Sequence, residues 1–423
     1  MKVIKLTALG CFVALLVFSL SYSRPVASQE KAAVDFDDHA PLVNVAATPT
    51  EAPTGFDNLT NGLTDQATHD ADRATFEDRE TIADGVGPVY NAQSCAECHQ
   101  SPVTGGSSQV SELRAGHFTG AAFVEHLGGS LINDRAIHPA IQEIVLGGNE
   151  VRTFRMSTNL LGAGYVESID NSTLRAIALG QPAQSGGRIA GQVINVPVDE
   201  VAGATRVGRF GWKNQHASLV SFAADAYLNE MGITTPLQPV ENTWLGQSVA
   251  VYDTVPDPED DGDDLEVFAR FMRATKAPAR NAVIAATPDA QAGARIFNQI
   301  GCNVCHVAAI TTAMPGTVIN GGNFTVPPAL GNKIIHPYSD FLLHDIGTGD
   351  GIVQNGGPLT RNKVRTAPLW GLRTRNRLLH DGSALTRTDA ITQHGGEASL
   401  VTFRYLLLSG TQKQQVLEFL KSL

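Results

Sequence analysis

Two segments of the chain share one spacing: Cys95-Ala-Glu-Cys98-His99 and Cys302-Asn-Val-Cys305-His306. A CxxC pair can act as a redox dithiol or supply half of a zinc site. Neither role calls for a histidine directly after the second cysteine. Covalent haem attachment does, because two thiols add to the vinyl groups and the next imidazole ligates the iron. The histidine is present in both copies. The residues therefore read as two c-type haem sites, with His99 and His306 as the proximal ligands.

The remaining cysteine supports this reading. Of five cysteines, only Cys11 lies outside the two segments, so no disulfide framework is left to build. Cys11 falls in an apolar run, Leu6 to Leu20, preceded by Lys2 and Lys5 and followed by the small residues Val26-Ala27-Ser28. That pattern predicts a signal peptide over residues 1–28, export to the periplasm, and no membrane span after cleavage. The chain has 31 basic and 42 acidic residues, a net charge of −11, which argues against nucleic acid as a partner. Hydrophobic residues at 43% and charged residues at 17% are enough to bury an ordinary core.

Each CxxCH segment sits in a similar frame. In the second, Thr287-Pro288 opens a helix as cap and first-turn proline, with Ile296, Phe297 and Ile300 on one face and Gly301 ending it before Cys302. The frame closes with Thr411 to Gln414, read as a capping box, followed by the stripe Val416, Leu417, Phe419, Leu420 and Leu423. In the first frame, Ala74 to Ile82 precedes a glycine-rich turn and Cys95, and Leu265, Phe268, Phe271 and Met272 mark the closing helix. The expected organisation is a flexible leader over 29–54, an N-terminal haem domain over 55–280 and a C-terminal cytochrome c-like domain over 287–423, with Lys276 to Ala286 as linker. The expected fold class is mainly α, two cytochrome c-like haem domains, the first enlarged with minor strands such as Val193 to Val201. The acidic run Glu259 to Asp264 has the composition of a calcium loop, but reads better as a solvated loop whose last carboxylates face a helix start.

The sixth position on each iron decides between electron transfer and substrate chemistry. The other histidines and Met156, Met231, Met272 and Met314 are the candidates. From Arg365 to His394 the chain runs RTAPLWGLRTRNRLLHDGSALTRTDAITQH. This resembles the C-terminal haem domain of bacterial di-haem cytochrome c peroxidases and of MauG, with His380-Asp381-Gly382 on a recurrent turn. The position where those peroxidases carry a methionine ligand holds His394. The resemblance therefore implies His394 as distal ligand of the second haem. His344, in FLLHDIG, is the runner-up and reads as structural.

The stretch GRFGWKNQHASLVSFAADAYLNEMG (Gly208 to Gly232) is similar to the peroxidase segment that carries an electron-relaying tryptophan and a distal acid–base glutamate. Trp212 and Glu230 fall on these positions. Where the peroxidases place a distal glutamine, this chain has Ser221 and Phe222. From about Thr54 to Leu423 the chain looks most like the di-haem oxidoreductase family. The resemblance implies two covalently bound haems, peroxide as substrate at the first, and a small donor protein of cytochrome c or cupredoxin type at the second. The alternative is an electron-transfer cytochrome with both irons fully ligated. There His117, or less well His126, would be the extra ligand to the first haem.

Overall fold

The structure, a computed structural model, describes residues 48–423, and these lie in one compact unit. The expected signal peptide and the leader as far as residue 47 lie outside the described residues. Residues 48–54, expected in the flexible leader, are held instead. Thr50–Glu51 is a strand paired in parallel with Lys333–Ile334, and Lys333–Ile335 pairs antiparallel with Ile310–Thr311.

Each CxxCH segment is clasped by an opening and a closing helix. The first opening helix, Gln66–Glu77, starts where the Asp65 carboxylate accepts from Thr68 N at 2.8 Å. It thus begins eight residues before Ala74, because an aspartate rather than a hydroxyl supplies the cap. Its partner, Asp263–Ala274, buries Leu265, Phe268, Phe271 and Met272, as its periodicity predicts. The two are joined by Arg270, whose guanidinium donates to both oxygens of buried Asp72 at 2.8 and 2.6 Å. The acidic run before the closing helix serves its own backbone: Asp260 accepts from Gly262 N at 2.8 Å and Asp261 from Asp263 N at 3.1 Å.

In the second frame the helix Pro288–Ile300 is capped by Thr287 and ends at Gly301, φ 102°. It crosses the closing helix Gly410–Ser422 at Gly293, where a Cβ would lie 1.9 Å from the carbonyl oxygen of Gln415. Only glycine permits that approach. The capping box is Ser409 with Gln412, two residues before the expected one, because Ser409 takes the extended backbone of a cap while Thr411 is already helical.

Between the frames lie elements the sequence only hinted at. Ser111–Phe118 pairs antiparallel with Val151–Met156, Phe123–Glu125 and Leu131–Ile132. Of Val193 to Val201, only Asn195–Pro197 is strand, and the expected linker contains a short helix, Ala282–Ala285. Helices nevertheless outweigh strands. The largest core cluster joins Phe76, Tyr165, Phe268 and Phe271 to Ile310, Ile335, Phe341 and Trp370, so residues beyond 287 complete the core of the first frame. A smaller cluster around Phe297, Tyr405 and Phe419 fills the second.

At the centre, Glu167 has no exposed side-chain surface. It accepts from Arg273 Nε at 2.7 Å and Nη2 at 3.0 Å, from Leu219 N at 2.9 Å, and from Asn320 Nδ2 at 2.9 Å. Burial alone would raise its pKa, but Arg273 holds it below the usual range. Glu167→Gln leaves Arg273 buried without its anion and should lower unfolding stability by about 3–5 kcal/mol. Because the folded carboxylate is held low, this contribution is present above the ordinary glutamate pKa and is lost as pH falls through the folded value. Denaturant titrations of both proteins at neutral and acid pH should therefore converge on the acid side.

Candidate functional site

Both CxxCH imidazoles are held the same way. Nδ1–H of His99 donates to the Gly106 carbonyl at 3.2 Å, and that of His306 to the Tyr338 carbonyl at 2.9 Å. This fixes the tautomer and leaves Nε2 with its lone pair. Burial pushes both rings down to about 4, so both are neutral at physiological pH and able to ligate a metal. Each ring packs on a phenylalanine of its opening helix, Phe76 at 6.5 Å and Phe297 at 6.1 Å between centroids. Each of those contacts an aromatic of the closing helix, Phe271 at 4.7 Å and Phe419 at 5.2 Å. Burial pushes the thiols of Cys95, Cys98 and Cys302 up to about 12 and raises that of Cys305. Such thiols hold almost no thiolate at neutral pH, which counts against a redox dithiol.

Cys302, Cys305 and His306 line a cavity of about 700 Å³, within the range of cofactor sites. His394 lines the same cavity. It follows the short helix Arg387–Thr392, which Thr386 caps, and its Nδ1–H donates to the Ala390 carbonyl at 2.6 Å. Its Nε2 is thus left as free as that of His306. Met156 and His380 also reach this cavity. Three arginines test what it could hold. Arg365 and Arg375 repel each other, and burial pushes each guanidinium down to about 10. Their hydrogen bonds go to carbonyls, Arg365 Nε to Gly211 at 2.8 Å and Arg375 Nη2 to Pro368 at 2.6 Å. Buried Nε of Arg387 has no hydrogen-bond partner. Cations around an apolar cavity with paired thiols and facing imidazoles fit a flat apolar ring that carries carboxylate arms. The residues present fit haem.

His344 lines the same cavity, with Nδ1 3.9 Å from Cys305 Sγ, but its ring is otherwise engaged. Its Nε2 meets Asp340 and its Nδ1 meets Glu397, both at 2.9 Å, which raises its pKa well above the ordinary value despite burial. Donor atoms of Cys305, Asp340 and His344 lie within 4.8 Å of one another. A doubly protonated imidazole has no lone pair for a metal.

Glu230 sits beside the first CxxCH segment. It lies on a π-helical turn, Tyr227–Met231, that continues the helix Leu219–Ala226. Its charge is the neighbour that weighs most on the Cys98 thiol after burial. Burial and then Glu112 push the Glu230 carboxyl up to about 8. Asn91 Nδ2 donates to its Oε2 at 2.8 Å. Arg114 grips Glu112 at 2.7 and 3.1 Å. Burial would raise Glu112, but Arg114 and Arg155 hold it below the usual carboxylate range. No sequence signal marks Asn91, Glu112 or Arg114, although a buried glutamate near neutrality needs such neighbours.

Trp212 lines the cavity of the second segment together with Gln100 and Ser101, which directly follow His99. Its Nε1–H donates to the Met156 carbonyl at 2.7 Å, and its ring meets His380 edge-on at 6.1 Å. The adjacent Lys213 is fully buried; its Nζ donates to Asp350 at 3.1 Å and to the carbonyls of Thr360 and Lys363 at 2.7 and 2.6 Å. Ser221 belongs to a helix cap, bonded to Ser218 and to Glu200. His117 is 46% exposed and bonded to Glu150 at 2.6 Å. His126 is buried, with Nε2 accepting from Leu146 N at 3.1 Å.

No curated protein matches this chain. Among solved structures, a hydrazine synthase of Kuenenia stuttgartiensis is similar at 15% identity and a TM-score of 0.40, over 95% of this chain and 100% of that one. A MauG-like protein associated with microbial copper homeostasis aligns at 14% identity and 0.39, over 91% and 95%. The diheme peroxidase BthA of Burkholderia thailandensis aligns at 13% identity and 0.34, over 89% and 94%. Residues 140–423 match the family described as "Di-haem oxidoreductase, putative peroxidase". The matched stretch takes in Trp212, Glu230, the second CxxCH segment and His394, and it makes this chain a member of that di-haem oxidoreductase family.

Proposed function

We propose that the protein is a periplasmic di-haem c-type oxidoreductase of peroxidase type. The observation that carries this reading is Glu230, a carboxyl buried beside the first CxxCH segment, which burial and then Glu112 push up to about 8. A general acid–base group works best with a pKa near the working pH. When bound, the haem on His99 would supply the iron at which peroxide is reduced, and the haem on His306 and His394 a store for electrons from a small cytochrome c or cupredoxin. Glu230 takes the proton from the inner oxygen of peroxide and returns it to the outer oxygen, which departs as water. Trp212, between the two segments, offers an aromatic path for the electrons. Cys95, Cys98, Cys302 and Cys305 would anchor the two groups. In the rival reading, an electron-transfer cytochrome, His117 or His126 would have to reach the first iron; Nδ1 of His117 is paired with Glu150 on the surface and Nε2 of His126 with Leu146 N, which leaves one nitrogen on each ring.

Glu230→Gln should slow peroxide turnover by roughly 10²–10⁴-fold with both haem spectra retained. In the wild type, kcat/KM should rise with pH through about 8, because the carboxylate must form before it can accept a proton. A variant as fast as the wild type would return Glu230 to a structural role.

Covalent attachment is tested by acid–acetone extraction. Two haems per chain should stay with the protein, and one when Cys302 and Cys305 are both changed to alanine. Purified protein with zinc and no haem would overturn the reading.

Imidazole favours ferric iron more than a thioether does. The haem on His306 should therefore give a low-spin bis-imidazole signal in electron paramagnetic resonance. His394→Met should raise its potential and keep it six-coordinate. An unchanged signal in His394→Ala would remove His394 from the iron.

A further inference from the structure

Glu230 is held from two sides by residues with no role so far. From the first comes Asn91, four positions before Cys95. Its backbone N–H donates to the Glu230 carbonyl at 2.7 Å, and the N–H of Ala92 donates to the same oxygen at 2.9 Å. Its side-chain Nδ2 donates to Oε2 of the same glutamate at 2.8 Å. Its Oδ1 accepts from Asp134 N at 2.8 Å. That last contact fixes the amide: with Oδ1 engaged by an N–H, only the NH₂ group is left to face Glu230.

From the second side comes Glu112, on the strand Ser111–Phe118. The Glu112 and Glu230 carboxyl groups are near enough for each to act on the other's proton. Two carboxyl groups that close favour the state in which one of them keeps its proton. Glu112 is gripped by Arg114 through both oxygens, and Arg155 lies 3.8 Å from it, so Glu112 is the ionised member. Glu230 is then the member that keeps the proton, with its Oε2 held by the Asn91 amide.

We propose that Asn91 is a positioning residue for Glu230, its amide holding Oε2 as an acceptor while Glu112, from the strand Ser111–Phe118, acts on the same carboxyl. The groups that act on Glu230 are Glu112 and Arg114 from the strand, the Cys98 thiol from the CxxCH turn, and Arg155 through Glu112. Asn91 donates to the ionised form and favours it, whereas Glu112 repels it. The two residues therefore move the titration of Glu230 in opposite directions, which no general loosening of the fold would do. The mechanistic value of the arrangement rests on the reading of Glu230 as the acid–base group; the arrangement itself does not.

The test is infrared titration of the holoprotein without peroxide, following the carbonyl stretch of the protonated carboxyl that disappears in Glu230→Gln. Relative to the wild type, the midpoint should rise by roughly one unit in Asn91→Ala and fall by roughly one unit in Glu112→Gln. The alkaline rise of kcat/KM should follow the same shifts, with kcat changed more than KM. An Asn91→Ala protein that holds both haems and keeps the wild-type midpoint overturns the proposal. Should that variant not accumulate, Glu112→Gln decides, and a midpoint that stays or rises there overturns it equally. Failure of the functional reading looks different: Glu230→Gln would keep full peroxide turnover while the infrared shifts remain.

Discussion

A carboxylate cut off from water, Glu167, is the constraint on which the rest of the structure depends. An ion in such surroundings is tolerable only when donors replace its hydration. The donors come from three places: Arg273 near the end of the first closing helix, the Leu219 N–H at the start of the helix that leads to Glu230, and Asn320 from beyond the second CxxCH segment. Arg206 and Arg209 add their guanidinium groups to the carbonyls of Glu167 and Ile169. One buried charge thus sets the distance between a clasping helix, the π-helical turn and the C-terminal half. The position of Glu230 beside Cys98 follows from it.

Around that centre the same local device is used twice and then varied. The CxxCH imidazole, a phenylalanine of the opening helix and an aromatic of the closing helix form one cluster of tilted rings in each frame. What surrounds the clusters differs. The second has buried cations and a further neutral imidazole. The first has carboxyl groups and arginines that hold a proton in reserve. The same CxxCH spacing therefore sits in two different electrostatic settings, and what distinguishes the two segments is their neighbours and not CxxCH itself.

Local signals were the ones the sequence expressed clearly. The cap at Thr287, the glycine after Ile300 and the stripe of Asp263–Ala274 depend on residues within a turn or two of one another. The capping box near Ser409 shows the limit of such signals, because two overlapping stretches satisfy the pattern and only backbone geometry separates them. The strand Ser111–Phe118 was unread for another reason. Its burial does not alternate strictly, and its partners Leu131–Ile132 and Val151–Met156 are set by pairing and not by its own composition. His394 was legible only through resemblance, and Asn91 not at all, since its contact with Glu230 spans 139 positions of the chain.

The parallel pairing of Thr50–Glu51 with Lys333–Ile334 has a consequence for biogenesis. The side chains of Lys333 and Thr50 meet across a separation of 283 residues. Closing so long a loop is entropically costly, and contacts of such high order form slowly. The sheet that receives the N-terminal strand does not exist until three quarters of the polypeptide has been made. A nascent or truncated chain that stops short of residue 333 therefore carries an orphan strand edge, open to pairing with a second copy.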